Sequence, residues 1–542
     1  MFQSIFGFLV ILGPLVVVHE FGHYFFAKIF GVKAEIFSIG FGPRLWSRQI
    51  GETEWRVSAI PLGGYVKLLG EEPEQELSPE LLKRSLQRQK TWKRFFIFFG
   101  GPLFNFIFAA VVFMAIMVIG EQQVASVIGR VLPNSAAEKA GLISGDKVTS
   151  VNGKQVRRFD EMVSAIGEHP GAPVKLDLER GKEPQVELKS FTVTPEAREG
   201  YSVYGEKTDV GDIDGILPAA RLPQVGISNP NSLAGKAGLK TGDSIAEFNS
   251  IPIENWEQVD FAYSQTAVGS EVRIKSVSRA DSSDHWVVFK KPDSGSLGDV
   301  SGVFSSELFI EKAVAKSPAE SAGLRTGDRL VGIGQGDIHS FFELRDSVQK
   351  SGQETGKVLV RWEREGEQLQ AELTPTTTVN RDPELKKQTQ FTIGVVPMLV
   401  WAQPPFVVER TLNPFTLFYK GTERMVVFSW RNLVSVGKMF TGDVSVGTLG
   451  GPILIGKIAG ESLSKGLIAF LTTMAILSIG LGVLNVLPVP VLDGGHLMLL
   501  GLEAIRGKPL TIRQMEVVQQ VGLSLILILM AVVMRNDFTR LF

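Results

Sequence analysis

Four long stretches of apolar residues with few or no charges punctuate the chain. They cover residues 1–27, 95–119, 466–492 and 517–534, and the first contains a single formally charged side chain, Glu20. About 20 mostly apolar residues suffice for a helix to cross a bilayer. The pattern therefore predicts a multi-pass α-helical membrane protein with four transmembrane helices.

Basic residues indicate how these spans are oriented. The first stretch has no Lys or Arg before it, whereas the second is preceded directly by six of them: Lys83, Arg84, Arg88, Lys90, Lys93 and Arg94. Because Lys and Arg near spans favour the cytoplasmic side, we expect residues 28–94 to be cytoplasmic. Four spans then place both termini and the region of about 120–465 on the outer side.

The region between the first two spans has a different pattern, that of short strands. Residues 37–66 are interrupted by turns at residues 40–43 and 51–52. Glycine and proline at such positions are typical of hairpins. We predict a cytoplasmic β-hairpin loop over residues 31–94.

The polar region after the second span repeats itself three times. The copies read PNSAAEKAGLISGD, PNSLAGKAGLKTGD and KSPAESAGLRTGD, and they end at Asp146, Asp243 and Asp328. Each predicts a short helix stopped by glycine and a Gly-Asp turn that leads into an apolar strand. The copies resemble PDZ domains of the circularly permuted bacterial type, so we predict tandem α+β units outside the membrane.

Two functions fit the repeated units. PDZ domains bind extended peptides or C-termini by adding a strand to a sheet edge, whereas rigid units can gate or filter what reaches the membrane part. The first two copies keep an apolar residue and glycine before the motif, at 128–129 and 225–226, but the third has Phe-Ile-Glu at 309–311. We favour gating over peptide capture, and expect capture least of all in the third copy.

These patterns divide the chain into ten predicted segments. Residues 401–463 mix aromatic and basic residues with apolar runs, which is typical of an interfacial amphipathic helix. The segments are span 1 (1–30), the hairpin loop (31–94), span 2 (95–120), three PDZ-like units (121–222, 223–307 and 308–400), the interfacial segment (401–463), span 3 (464–492), a cytoplasmic loop (493–513) and span 4 (514–535).

The composition of the chain limits its possible partners and the kinds of metal site it can form. The 542 residues carry a net charge of -1, so no excess of positive charge suggests a nucleic-acid partner. The chain has no cysteine, which excludes disulfides and thiolate metal sites. Any metal site must therefore use His, Asp or Glu.

The first span carries the candidate chemistry, because residues 19–23 read HEFGH. His19 and His23 lie one helical turn apart on one face, and Glu20 lies beside them, as in metalloproteases. Ionisable residues inside an apolar span are costly and usually functional. We therefore predict that both histidines bind a metal and that Glu20 is the catalytic base; the alternative is a hydrogen-bonded pair of histidines.

A catalytic zinc site needs a third protein ligand, and none follows His23 at the expected spacing. The best candidate is Asp493, at the end of the third apolar stretch, with His496 as the alternative. If the first span enters from outside, His23 and Asp493 both lie towards the cytoplasmic face. Pro488 and Pro490 should break the third helix just before Asp493.

Further polar and glycine residues are candidates for substrate contact. Asn105 and Asn485 are amides within apolar spans, where they would hold a substrate backbone or form hydrogen bonds between helices. The strand near residues 60–66, which includes Gly63, Gly64 and Tyr65, could pair with an unwound peptide by strand addition. The alternative is a hairpin that only packs.

HEFGH, GGPLFNF at 100–106, the PDZ-like units and NVLPVPVLDGG at 485–495 together resemble the site-2 protease family over essentially the whole chain. The resemblance implies that His19, His23 and Asp493 bind Zn²⁺, that Glu20 activates water and that Asn485 helps to hold the substrate. It also implies that the β-hairpin loop at 31–94 is membrane-associated. Two histidines and a carboxylate by themselves suit several divalent metals.

The same resemblance implies what the protein acts on and where. Substrates would be single-pass membrane proteins already trimmed by another protease, such as anti-sigma factors, and remnants of signal peptides. The protein would lie in the bacterial inner membrane, with its PDZ-like units in the periplasm. Enterobacterial members of the family are known for two PDZ units, whereas this chain has three PDZ-like units. The way in which those members filter substrates therefore cannot be transferred unchanged to this chain. The competing hypothesis is a catalytically inactive membrane-anchored PDZ scaffold.

Overall fold

The computed structural model describes residues 2–71, 77–181, 186–201, 207–381, 387–441, 447, 450–507 and 511–541. Within these ranges four helices are long and apolar enough to cross a membrane. They are Phe6–Ile29, Thr91–Ile119, Leu467–Val486 and Arg513–Thr539. The prediction of four apolar spanning helices is confirmed at this level, although the third helix ends earlier than the apolar stretch does.

The first helix, α1 (Phe2–Ile29), leads into two long strands, β1 (Ala34–Ile50) and β2 (Thr53–Leu68). Residues 36–39 of β1 pair with 54–57 of β2 on one side and with 64–67 on the other. The strands therefore fold back into a small four-stranded arrangement in the order 44–50, 53–58, 36–39 and 64–68, with 64–68 at one edge. The short helices α2 (Pro79–Lys83) and Leu86–Arg88, the latter a 3-10 helix, follow.

Helix α3 (Thr91–Ile119) crosses α1 at very short distance, because glycines meet at the crossing. A Cβ on Gly22 of α1 would clash with the carbonyl oxygen of Gly100, and a Cβ on Gly100 would clash with the backbone of Gly22. Small residues let two backbones approach in this way in membrane helices. The face of α1 that carries HEFGH therefore packs directly against α3.

Three α+β units with a common core follow α3. In each, a four-stranded antiparallel sheet packs with a short and a longer helix, and a strand at the end of the unit pairs with a strand at its start. Unit 1 is entered from β3 (Glu121–Val124) and contains β4 (Arg130–Val131), α4 (Ala136–Lys139), β5 (Lys147–Val151), β6 (Lys154–Gln155), α5 (Phe159–Gly167), β7 (Val174–Arg180), β8 (Glu187–Val193), β9 (Glu196–Tyr201), β10 (Lys207–Asp212) and β11 (Ile216–Leu217).

Units 2 and 3 contain the equivalent sheets β14-β13-β15-β16 and β20-β19-β21-β22, but unit 2 has a short helix where units 1 and 3 have a two-stranded hairpin. Unit 2 contains β12 (Val225–Gly226), α6 (Leu233–Lys236), β13 (Ser244–Phe248), β14 (Ile251–Pro252), α7 (Trp256–Gln265), β15 (Glu271–Val277), β16 (Asp284–Lys290), α8 (Leu297–Ser301) and β17 (Phe304–Ser305), then the 3-10 turn Ser306–Leu308. Unit 3 contains β18 (Ile310–Ala313), α9 (Pro318–Ser321), β19 (Arg329–Ile333), β20 (Gly336–Asp337), α10 (Phe341–Thr355), β21 (Val358–Arg364), β22 (Glu367–Leu373), β23 (Thr376–Arg381), β24 (Lys387–Thr392) and β25 (Val395–Pro397).

A buried cluster of charges joins the three units. Arg130 of unit 1 donates two hydrogen bonds, of 2.9 and 2.8 Å, to Glu307 at the end of unit 2. Arg221 bonds Glu257 and the same Glu307, and the backbone N–H of Phe341 in unit 3 also donates to Glu307. Burial opposes the charge of Arg221, but these carboxylates raise its pKa. Because each charge is paired, the cluster fixes the units relative to one another.

The chain then returns to the apolar helices. Strand β26 (Phe406–Glu409) pairs with β3, so the end of unit 3 rejoins the end of α3. Helices α11 (Pro414–Thr441) and α12 (Pro452–Ser464) follow, in the segment predicted to be interfacial; residues 442–446 and 448–449 of that segment lie outside the described residues. A stripe of exposed apolar residues, Phe415, Phe418, Val426, Trp430 and Leu433, runs along α11.

The last three helices are α13 (Leu467–Val486), α14 (Asp493–Arg506) and α15 (Ile512–Leu541). Helix α13 packs against α3 around Phe113, Ile116 and Ile479, all of which are buried. Near the end of α15, the buried carboxylate of Asp537 accepts hydrogen bonds from the backbone N–H groups of Gly451, Ile453 and Leu454. It thus satisfies the free N–H groups at the start of α12.

Candidate metal centre

Three predicted ligands, from opposite ends of the chain, meet in the structure. Oδ2 of Asp493 lies 3.1 Å from Nε2 of His19 and 3.5 Å from Nε2 of His23, and the two histidine nitrogens are 3.3 Å apart. His19 is buried, and the other two are partly buried. The structure therefore brings together the residues that sequence reasoning placed in one site.

These distances suit a bound divalent metal. Tetrahedral zinc with bonds of about 2.0–2.1 Å holds its ligand atoms about 3.3 Å apart, close to the three separations found here. Oδ2 of Asp493 is buried and lacks a hydrogen bond of acceptable geometry within the described part of the chain. A buried carboxylate oxygen that faces two imidazole nitrogens would be stabilised by a cation bound to all three atoms. The donor set of two nitrogens and one oxygen fits zinc.

The break after α13 delivers Asp493 to this site. Helix α13 ends at Val486, and the chain runs irregularly through Pro488 and Pro490 before α14 begins at Asp493. Val491 adopts a φ of 81°, which is costly for a β-branched residue. Proline cannot continue the helix, and the new helix places the carboxylate in its first turn, where the helix dipole favours negative charge.

Each histidine has a partner on its other ring nitrogen. Nδ1 of His23 lies 2.8 Å from the carbonyl oxygen of Ile97, and Nδ1 of His19 lies 3.0 Å from the side-chain amide of Asn105. A carbonyl partner fixes the proton on Nδ1 and leaves Nε2 free to bind metal. Within the described ranges the buried Oδ1 atom of Asn105 has no hydrogen-bond partner, so the amide in its reversed orientation would accept from His19 in the same way.

The two predicted amides thus lie on different sides of His19. Asn105 is fully buried behind the ring, and Ser478 donates to its backbone oxygen. This placement favours a role in orienting His19 over contact with substrate. Asn485 is only partly buried, and its amide lies 3.4 Å from Nε2 of His19, on the ligand side. Its predicted contact with substrate remains compatible with the structure.

His496, the alternative third ligand, lies away from the group formed by His19, His23 and Asp493. Its ring stacks on Phe98, with 4.5 Å between ring centroids and an angle of 4° between the planes. Asp493 and His496 are three residues apart on α14, and only the former turns towards the histidines.

Glu20 lies between the ligands and the edge strand of the small sheet. It interacts electrostatically with His23, His19 and Asp493. On the sheet side, a Cβ built on Gly64 would lie 3.1 Å from Cγ of Glu20. Gly64 pairs with Ile39, and Tyr65 stacks on Phe41 with ring centroids 6.2 Å apart. The predicted strand residues are therefore next to the candidate base.

Gly63 and Gly64 allow two close approaches at this strand. Gly63 has a φ of 144°, and a Cβ there would clash with the ring of Phe41. A Cβ on Gly64 would lie 2.7 Å from the carbonyl oxygen of Ser38. The two glycines therefore let this edge strand lie close both to the neighbouring strand and to α1.

Sequence reasoning missed one residue of the site, Gly101 on α3. A Cβ at this position would clash with Nε2 of His23 and would lie 2.8 Å from Nε2 of His19. The absence of a side chain therefore leaves room beside both ligand nitrogens. The pair of glycines in GGPLFNF was visible in the sequence, but its position against HEFGH depends on how α1 and α3 cross.

We predict that Gly101→Ala lowers metal affinity by about 10-fold to 100-fold, the usual range for disturbing the surroundings of metal ligands. The added methyl group would push both imidazoles from their positions. Metal content of the purified protein, measured at a fixed free zinc concentration, checks this. Gly13→Ala on α1 is the matched control, because nothing lies within 4 Å of a Cβ there. Unchanged affinity in Gly101→Ala would show that the histidines bind no metal at this place.

Comparisons with known proteins agree with this chemistry. The family model described as peptidase family M50 matches residues 7–529. The regulator of sigma-E protease RseP of Escherichia coli (strain K12) is 29% identical over 545 residues, which cover 99% of this chain and 98% of that protein. A putative zinc metalloprotease of Neisseria meningitidis is 32% identical, with 99% of both chains covered. A solved PDZ domain protein from Parabacteroides distasonis matches with a TM-score of 0.12 and 11% identity, covering 54% of this chain and 100% of that one, and this likeness is too low to support an argument.

Proposed function

This chain belongs to peptidase family M50, and we propose that it is an intramembrane zinc endopeptidase that cuts the membrane segments of other proteins. One observation carries the proposal: His19, His23 and Asp493 converge at helices long and apolar enough to span a bilayer. Polar groups there are costly unless they serve a site. An inactive scaffold would have no use for Glu20 beside such a ligand set.

The chemistry follows from the residues that surround the site. Zinc held by His19, His23 and Asp493 would keep a position open for water or substrate, lower the pKa of water and polarise a peptide carbonyl. Glu20 would take the proton of the attacking water and return it to the leaving amine. Asn105 and the carbonyl of Ile97 would hold the imidazoles in the tautomer that this requires.

The edge strand at residues 64–68 supplies a place for the substrate backbone. A helical membrane segment has its backbone groups satisfied internally, so it must unwind before a carbonyl can reach the site. An unwound segment that adds to this edge regains hydrogen bonds and passes Gly64, next to Glu20. Asn485, on the opposite side of the ligands, would hold the same segment from α13.

The substrate class and the location are the finer part of the proposal. Relatives that are named regulators of sigma-E protease suggest substrates of the anti-sigma factor type, trimmed beforehand to a single span, along with remnants of signal peptides. The pattern of basic residues suggests a bacterial inner membrane location, with residues 28–94 cytoplasmic and the three units periplasmic.

The test is cleavage by the purified full-length protein in lipid vesicles. The substrate is a single-span peptide with a fluorescent group at each end, and mass spectrometry locates the cut. We expect a cut inside the apolar segment, lost with 1,10-phenanthroline and restored by zinc. Cleavage that persists after zinc removal, or that occurs only outside the apolar segment, would contradict the proposal. Absence of cleavage with full zinc occupancy would favour the scaffold.

We further propose that unit 1, rather than unit 3, captures peptide. In unit 1 a cleft of about 1110 Å³ lies between α5 and β10, lined by Phe159, Val163, Gly167, Val210 and Gly211 among others. In unit 3 the corresponding space is crossed by Gln349 of α10. Its amide donates to the carbonyl oxygen of Thr389 at 2.7 Å and accepts from the backbone N–H of Phe391 at 3.0 Å.

One side chain and the length of the helix both contribute to this difference, because α10 continues beyond Gln349 to Thr355 whereas α5 ends at Gly167. Gly167 and Gln349 are each the ninth residue of their helices, α5 and α10. The side chain of Gln349 bonds the backbone groups on the edge of β24 that an added peptide strand would need. Phe391 also lies against Gly352 of the helix. Unit 3 is therefore sealed by its own residues, which suits a gate or spacer.

We predict that Gly167→Gln weakens peptide binding at least tenfold, because the longer side chain would fill the edge in unit 1 as Gln349 does in unit 3. The probe is a fluorescein-labelled ten-residue peptide with a free apolar C-terminus, and fluorescence polarisation with the full-length protein measures binding. Gly167→Ala is the control, since its Cβ would meet only ordinary contacts at 3.9 and 4.0 Å. Binding that survives Gly167→Gln but disappears in Gln349→Ala would move the site to unit 3.

A further inference from the structure

A polar pocket of about 530 Å³ lies at the C-terminal end of α3, between β26 and the first turns of α11. Met117 of α3 forms one wall, and the backbone N–H of Thr411 donates to the Met117 carbonyl at 3.1 Å. The pocket belongs neither to the metal centre nor to the cleft of unit 1. It lies where a spanning helix leaves the apolar layer, because α3 ends two residues later at Ile119.

Positive charge dominates this pocket. Four cations line it, Arg157, Arg410, Lys420 and Arg424, against two carboxylates, Glu121 and Glu409, so the lining carries two more positive than negative charges. Both carboxylates are engaged already. Glu121 lies 2.9 Å from Arg424, and Glu409 lies 3.5 Å from Arg158, which is outside the pocket.

The other three cations form no such ion pair within the described part of the chain, although Lys420 also interacts electrostatically with Glu161, which pairs with Arg158. Among the described residues, the side chains of Arg157, Arg410 and Lys420 form no ion pair within 4.0 Å.

Helix α11 begins at the pocket, with Thr416 of its first turn in the lining, but the backbone N–H groups of Phe415 and Thr416 already donate to Oδ1 of Asn413. The side-chain cations are therefore the groups that favour an anion here.

Exposed apolar side chains lie beside the pocket. Leu412, Phe415 and Phe418 are 65%, 85% and 67% exposed, although they are adjacent to the basic pocket. Exposed aromatic residues beside Lys and Arg at the end of a spanning helix are typical of the layer where headgroups meet acyl chains. A ligand for this place should therefore be anionic at one end and apolar at the other.

We propose that the pocket binds the phosphate headgroup of an anionic phospholipid, with its acyl chains lying along Leu412, Phe415 and Phe418. The guanidinium groups of Arg157 and Arg410 and the ammonium group of Lys420 offer charge-assisted hydrogen bonds to phosphate oxygens. The proposal rests on geometry apart from the metal centre, and it stands whether or not the protein is a protease. A bound lipid would fix the start of α11 and, through Arg157, the first unit against the membrane.

The test titrates purified full-length protein in detergent with short-chain phosphatidylglycerol and, separately, with phosphatidylcholine of the same chain length, counting bound lipids by native mass spectrometry. We expect one phosphatidylglycerol per chain with a clear preference over phosphatidylcholine. Arg410→Gln/Lys420→Gln should weaken it about 30-fold, since each cation near a lipid surface contributes about 1 kcal/mol. The control, Arg345→Gln/Lys350→Gln on α10, removes the same charge from two residues that do not line the pocket. It should bind the lipid as the wild type does.

Three results would overturn the proposal. Equal affinity for the two lipids, or equal weakening in the control, would mean that the pocket does not select the headgroup. Inorganic phosphate that displaces the lipid completely at equal concentration would mean that the acyl chains contribute nothing. An acidic peptide that binds there more tightly than phosphatidylglycerol would make the pocket a protein-binding site instead.

Discussion

Replacing Glu20 by Gln is expected to slow peptide cleavage by about 10²-fold to 10⁴-fold while the protein keeps one zinc ion per chain. The three proposed ligand atoms belong to His19, His23 and Asp493, so the proposed metal site does not need Glu20. The amide has nearly the same shape as the carboxylate but cannot accept the proton of the attacking water. General base catalysis contributes about 10²-fold to 10⁴-fold, and we expect a loss in that range.

Two measurements on one preparation decide this prediction: cleavage rate of the single-span substrate in vesicles, and zinc content. Glu52→Gln is the matched control, because the same chemical change falls on a partly exposed residue that pairs with Lys28 and Arg84 at the surface of the small sheet. Surface pairs of this kind contribute little to stability. A Glu20→Gln protein that cleaves at the wild-type rate would remove Glu20 from the mechanism, whatever its zinc content.

Asp493→Asn should have an effect of similar size through the metal itself. The substitution removes the only negative charge among the three ligands and leaves an amide facing two imidazoles. We expect affinity for zinc to fall by more than 100-fold and cleavage to disappear with it. Zinc titration in the presence of a competing chelator measures the affinity directly.

His496→Phe distinguishes the two candidate third ligands. Phenylalanine preserves the stack on Phe98 but has no nitrogen for a metal, so zinc affinity should remain at the wild-type value. Glu503→Gln, further along α14, serves as the control for Asp493→Asn because it changes a carboxylate that pairs with Arg94. Retained zinc in Asp493→Asn together with lost zinc in His496→Phe would reverse the assignment.

The four long apolar helices and the convergence of His19, His23 and Asp493 were predictable because each rests on a pattern with one strong physical cause. Stretches without charge can satisfy few roles other than crossing a bilayer, and all four correspond to helices of sufficient length. The end of the third was less well defined. Apolar residues continue to Leu492, but the helix stops at Val486 because Pro488 and Pro490 cannot continue it.

Other features depended on packing that no local pattern encodes. Residues 36–39 pair on both sides, so a predicted hairpin becomes a four-stranded arrangement with its edge at Glu20. Asn105 carries the same side chain as Asn485, but helix packing puts it behind His19 rather than in front. The seal made by Gln349 was equally hidden, since glutamine on a helix has no preferred partner until the opposite strand is in place.

The charge cluster around Glu307 has a consequence for how a protein like this one could gain or lose units over evolutionary time. Excising the middle unit would strip Arg130 and Arg221 of both carboxylates, and stranding buried charges costs about 3–5 kcal/mol. Excising the last unit would leave these arginine–carboxylate pairs intact. Among the described contacts it would remove the Phe341 donor to Glu307 and the contact of Arg329 with the ring of Phe304. A shorter lineage should therefore lack the last unit, and chimaeric proteins should exchange the first two units together.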